Sequence, residues 1–87
     1  MNGGQPAEGT APRTLADLAR GDRARVVAVG GQPATAQRLL EMGLTAGARI
    51  EVVRFAPLGD PIEVKVRGYA LSLRREDARC VRVEAVE

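Results

Sequence analysis

Apolar residues along the chain fall into short alternating runs separated by glycine and proline, with one segment of helical period among them. Leu15 and Leu18 come first, three apart and on one face of a short helical turn that Thr14 can cap. After Gly21-Asp22, the run from Ala24 to Gly30 (ARVVAVG) is β-branched and ends on two glycines, which predicts a buried or half-buried strand. From Gln32 to Gly43 the period becomes helical. Pro33 suits the first position, Ala36, Leu39 and Leu40 form a narrow apolar stripe, and Gly43 supplies a left-handed stop that lets Leu44 pack back on Leu39.

The next strand, Ala48 to Phe55, changes parity midway, with Ile50 and Val52 on one face and Val53 and Phe55 on the other. Such a switch predicts a bulge or a sharply coiled strand that serves two faces of a small barrel. Ala56 to Pro61 holds two prolines and a glycine and reads as a rigid turn. Ile62, Val64 and Val66 then alternate with Glu63, Lys65 and Arg67 in a third strand, and Leu71 and Leu73 flank Ser72 in a fourth. Arg74 to Arg79 is a polar helical turn, and Cys80 to Val86 is the closing strand. The pattern predicts a mainly β domain over residues 14–87, a small five-stranded barrel with one inserted α-helix and short helical turns. Residues 1–13 show no apolar period and read as a disordered N-terminal tail.

Composition narrows the function. With 87 residues and 45% hydrophobic content there is material for one core. Thirteen basic residues against eleven acidic ones leave +2, too little for the field of an obligate duplex binder. The chain has no histidine and only one cysteine, Cys80, which excludes an internal disulfide and the usual zinc or iron constellations. Ser72 and Cys80 therefore lack a base to activate them, and no catalytic set forms. Gly30-Gly31 follows a strand and precedes a helix but lacks the lysine and Ser/Thr of a phosphate loop, so it reads as a tight bend. Asp60, Glu63, Glu76 and Asp77 are scattered carboxylates rather than a ligand set, and Cys80 reads as an inert thiol beside the core. The longest apolar run, Val26 to Val29, is far short of the roughly 20 residues of a membrane helix. Met1 to Pro12 lacks the order of a signal peptide, so a cytoplasmic protein without cofactor or metal is expected.

Three stretches carry a resemblance: RLLEMGLTAG at Arg38 to Gly47, VVRFAPLGDPIEV at Val52 to Val64, and GYALSLR at Gly68 to Arg74. Together, in this order and spacing, they closely resemble the FeoA family over nearly everything from Thr14 to Val86. The resemblance implies a small cytosolic SH3-like barrel that partners the FeoB ferrous-iron transporter, a membrane protein with a cytosolic GTPase domain. It further implies an accessory protein of iron homeostasis, peripheral to the inner membrane when bound and touching the membrane only through the transporter. The same module forms the C-terminal domain of DtxR-type repressors, whose winged-helix segment does not precede the barrel in this sequence.

Binding is then the route to function, and two surfaces are candidates. One is the helix with its exit, Arg38, Leu39, Glu41, Met42 and Leu44; the other is the proline turn, Pro57, Leu58 and Gly59. Leu58 either stands exposed as a preorganised apolar tip or folds back to plug the barrel end. Met42 is either an adaptable contact or a filler between helix and barrel. Arg74, Arg75 and Arg79 form a basic cluster, yet Glu76 and Asp77 among them suit a mixed solvated face. Pairing of exposed strand edges leaves a homo-oligomer open. The alternatives are a KOW-like nucleic-acid-binding barrel, suggested by Gly21 to Val27, and a detached DtxR-type regulatory domain. Phe55 and Tyr69 are the only rings, too few for base stacking or a proline-peptide groove, so no nucleic-acid partner is expected.

Overall fold

The computed structural model describes residues 13–86. Of the expected tail, residues 1–12 lie outside the described residues, whereas Arg13 belongs to the fold. It sits in strand β1 (Arg13–Thr14), antiparallel to the last strand with Arg13 opposite Val83. This sixth strand corrects the count of five; two residues are too few to show a period in sequence. A 3-10 helix (Leu15–Asp17) follows, and the Asp17 carboxylate accepts hydrogen bonds from the N–H (3.0 Å) and hydroxyl (3.2 Å) of Thr14. Leu15 and Leu18 both turn into the core, as their spacing predicts.

The remaining elements are β2 (Arg23–Val29), α1 (Pro33–Glu41), β3 (Arg49–Phe55), β4 (Ile62–Val66), β5 (Tyr69–Leu73), α2 (Arg75–Ala78) and β6 (Val81–Ala85). Six antiparallel strands form one sheet in the order β1-β6-β2-β3-β4-β5. The sheet folds around a single core to which every strand from β2 to β6 contributes. Ala24 and Val26, Ile50 and Val52, Ile62, Val64 and Val66, Leu73, and Val81 and Val83 are its buried residues on strands.

Two bulges let so few strands curve around that core. In β3 the register slips between Val52, opposite Val64, and Arg54, opposite Glu63, so Val53 is the extra residue that the parity switch predicts. In β2 it slips between Val26, opposite Val83, and Ala28, opposite Arg82. Val27 is the extra residue there and stands 46% exposed.

Helix α1 ends as its sequence predicts. The N–H of Leu44 donates to the Leu39 carbonyl (3.2 Å) and that of Gly43 to the Leu40 carbonyl (3.0 Å), with Gly43 at φ +100°. This double bond pattern closes the helix, and Leu39 and Leu44 are both fully buried in the core. Leu40 departs from the expected stripe. It lies 42% exposed because the narrow barrel accepts one leucine from this helix and leaves its neighbour outside.

Candidate docking surface

The turn between β3 and β4 is held from within and from below. Ala56 donates its N–H to the Pro61 carbonyl (3.0 Å) and Gly59 donates to the Ala56 carbonyl (2.7 Å), which closes a loop whose Pro57 has its φ preset. Gly59 takes φ +87°, a conformation that a residue with a Cβ adopts only at a cost. Leu58 at the tip is 96% exposed, which decides between the tip and the plug in favour of the tip. Beside it a hollow is lined by Phe55, Ala56, Pro57 and Pro61 together with Arg54, Glu63 and Ser72.

Arg75 braces this turn. Its guanidinium donates through Nη2 to the Gly59 carbonyl (3.3 Å) and through Nη1 to the Ala16 carbonyl (3.2 Å), and it stacks 5.8 Å from the centre of the Phe55 ring. Its backbone N–H donates to Asp60 Oδ1 (3.0 Å), so the turn's own carboxylate caps the start of α2. One side chain thus ties together the proline turn, the 3-10 helix and the end of β3. The mixed solvated face expected for these arginines holds for Arg74 and Arg79, which are exposed, and is corrected for Arg75, which is half-buried and committed to the fold. A lone arginine in a polar helical turn carries no signal that separates these roles; only the approach of Gly59 and Ala16 reveals it.

Arg75→Ala is expected to cost about 2 kcal/mol, since two carbonyls lose a charged donor and Phe55 loses its cation. Arg75→Lys restores little of it, because one ammonium cannot reproduce a fork that serves two carbonyls at once. Urea denaturation measures the loss, and faster amide exchange at Gly59 reports the loosened turn.

The helix exit forms a second, separate surface. Leu39 and Leu44, both read as contact candidates, are fully buried and offer nothing to a partner; this is a correction, and the reason is the helix closure that folds Leu44 back over Leu39. Met42 is half-buried and packs against the core, so it fills the gap between helix and barrel. Arg38 is exposed but bonded to Asp77 (3.0 Å), where it links α1 to α2. The exit itself is clamped by the two-residue turn between β4 and β5, in which Arg67 and Gly68 both take positive φ (52° and 88°), as a tight hairpin requires. Arg67 donates to the Gly43 carbonyl (3.2 Å) and to Thr45 Oγ1 (2.6 Å), and the Tyr69 hydroxyl donates to the Met42 carbonyl. The proline turn precedes β4 and the clamp follows it, so the two surfaces lie at opposite ends of that strand, which is about 16 Å long. Of the predicted contact residues, Pro57, Leu58 and Gly59 come together at the proline turn, whereas on the helix Arg38 and Glu41 are exposed but bonded to Asp77 and Gln37.

Of the candidate ligand carboxylates, Asp60, Glu63 and Asp77 are engaged in holding the fold, and Glu76 is exposed. Glu63 accepts from Arg54 (2.7 Å), Asp60 from Arg75, and Asp77 from Arg38. The hydrogen bond and charge of Glu63 hold the Arg54 guanidinium above its ordinary pKa. Cys80 is half-buried, packs on the core and lies 3.7 Å from the Glu76 carbonyl. Among the described residues no three His, Cys, Asp or Glu side chains gather in a way that could hold a metal ion. No helix among them is long and apolar enough to cross a membrane.

A family model described as the FeoA domain matches residues 13–85. The chain belongs to the FeoA domain family. It is 44% identical over 72 residues to an Fe(2+) transport protein A/Fe(2+) transporter FeoB fusion protein of Porphyromonas gingivalis. The match covers 83% of this chain and 8% of that relative, so the chain corresponds to a small part of the fusion. Among solved structures, the FeoA protein of Chlorobium tepidum superposes with a TM-score of 0.81 at 45% identity, covering 86% of this chain and 71% of that one. Stenotrophomonas maltophilia FeoA, complexed with zinc and described as a procaryotic SH3 domain protein possibly acting as a ferrous iron transport activating factor, superposes with a TM-score of 0.73. It is 32% identical, with 83% of this chain and 89% of that one covered. The fold is therefore SH3-like, as expected, and the family is linked to ferrous iron transport.

Proposed function

We propose that this FeoA-family protein is a non-enzymatic accessory of ferrous iron uptake that docks on cytosolic parts of a FeoB-type transporter and acts on its assembly, GTPase cycle or gating. The observation that carries the docking role is Leu58, 96% exposed on a turn fixed by Pro57, the bonds within the loop and the Arg75 brace. An apolar tip already held in one conformation loses little entropy when it enters a pocket. The fusion relative supports the choice of partner, since a transport protein A and a FeoB transporter are joined there in one polypeptide. In that arrangement the small module works close to the transporter.

The test is equilibrium binding of the purified chain to the detergent-solubilised transporter from the same cell. Leu58→Asp is expected to fold like the wild type, because the side chain has almost no contact to lose. It is expected to weaken binding at least about tenfold, the effect of placing a charge at a central apolar anchor. Equal affinity for wild type and variant removes the proline turn from the contact, and absence of binding in every nucleotide state removes the docking role.

A further inference from the structure

Positive charge is concentrated on the outer face of the sheet, at the end remote from Leu58. Arg23 and Arg25 on β2, Arg49 and Glu51 on β3, and Lys65 on β4 stand in adjacent register, with Arg23 opposite Glu51, Arg25 opposite Arg49, and Glu51 opposite Lys65. Arg67 extends the row, and a shallow hollow is lined by Arg23, Arg49, Glu51, Lys65 and Arg67. Glu84 on β6 bonds Arg25. Among the described residues, five cations on this face stand against two carboxylates, Glu51 and Glu84, a surplus of three. Arg23, Arg49 and Lys65 are exposed, and none of them is ion-paired with a described residue. Arg25 and Arg49 face one another directly across two strands; Glu84 takes up the charge of Arg25, and that of Arg49 is left without a counter-ion among the described residues.

We infer that this face is a docking surface for an anionic lipid bilayer, against which the barrel lies while Leu58 contacts the transporter. The inference rests on the proposed partnership, since a transporter's cytosolic surroundings include the anionic leaflet that attracts clustered basic residues. The shape of the site favours an extended surface. The cations are spread over three strands on long side chains, and Glu51 in their midst opposes any compact phosphate group. No aromatic side chain lines the hollow, so single-stranded nucleic acid finds no stacking platform. Geometry allows both contacts at once. The hollow lies at the start of β3 and the proline turn beyond its end, about 20 Å apart by the length of that strand. Direct contact with lipid goes beyond the membrane association through the transporter that the family resemblance implies.

The test is co-sedimentation of the full chain with phosphatidylcholine vesicles, with and without phosphatidylglycerol. Binding is expected only when the anionic lipid is present, and it should weaken as salt rises. Each basic residue near an anionic leaflet contributes about a fivefold factor, so the variant Arg23→Gln/Arg49→Gln/Lys65→Gln should lose on the order of a hundredfold in partitioning. All three positions are exposed, and an unchanged melting temperature confirms that the loss is not one of folding. Leu58→Asp should bind vesicles like the wild type. Equal partitioning onto both vesicle types overturns the inference, as does absence of binding to the anionic ones; capture of single-stranded RNA or polyglutamate without vesicle binding overturns it in favour of those partners. Transporter binding that depends on Leu58, with no vesicle binding, sinks this inference alone. Vesicle binding without transporter binding sinks the docking reading instead.

Discussion

Gly43→Ala is expected to cost about 2–3 kcal/mol and to lower the melting temperature by roughly 8–24 °C. Two separate effects add at this position. The backbone holds Gly43 at φ +100°, where a residue with a Cβ pays about 1–2 kcal/mol. A Cβ would also lie 2.7 Å from the Tyr69 hydroxyl, closer than any tolerated contact. Tyr69 can swing away, but its hydroxyl then leaves the Met42 carbonyl without a donor, a further loss of about 1 kcal/mol. Gly47 separates the two effects. It takes φ +91° with nothing within 4 Å of the position of its Cβ, so Gly47→Ala should show the backbone cost alone. In a Tyr69→Phe background the obstacle to the new methyl is gone, and the cost of Gly43→Ala should fall to that of Gly47→Ala. A double-mutant cycle by thermal or urea denaturation measures the coupling; strict additivity would show that the clash contributes nothing.

Leu39→Ala is expected to lose about 3 kcal/mol, the cost of removing a fully buried leucine from a core that relaxes only in part. Leu40→Ala, one residue along the same helix, should change stability by roughly 0.5 kcal/mol, because its side chain is 42% exposed and alanine is the better helix former. The pair distinguishes two roles for the helix exit. A contact residue would keep its melting temperature when truncated and lose partner binding; a core residue does the reverse. The structure puts Leu39 in the second class, and a Leu39→Ala protein that melts like the wild type would contradict it. In a domain of this size a loss of 3 kcal/mol is a large fraction of the total, so much of the variant should be unfolded near 50 °C or below.

The elements whose signals are local are legible in the sequence. Pro33 at the helix start, Gly43 at its stop and Leu44 folding back on Leu39 are decided by backbone geometry over a few residues, and all three stand in the fold. The Val52-Val53 parity switch foretold the β3 bulge for the same reason. The matching switch at Val26-Val27 marks the β2 bulge, but a run of valines between glycines reads equally as a strand buried on both faces. Strand β1 was illegible because two residues carry no period, and its pairing partner lies at the other end of the chain. Within the candidate site, Pro57 and Gly59 announced a rigid turn, whereas its brace, Arg75, looked like any solvated cation.

The sequence by itself determined which residues can make strand, helix and turn, that the chemistry of histidine and paired cysteine is absent, and, through three motifs, the family. Those properties depend on residue type and short spacing, which the linear chain displays in full. Exposure of Leu58, burial of Leu39 beside an exposed Leu40, the grip of Arg75 on Gly59 and Ala16, and the basic face across β2, β3 and β4 were decided only by the tertiary structure. Each depends on what a distant segment places next to the residue. Arg23, Arg49 and Lys65 are scattered along the chain, and their charges become one surface only when three strands align in register.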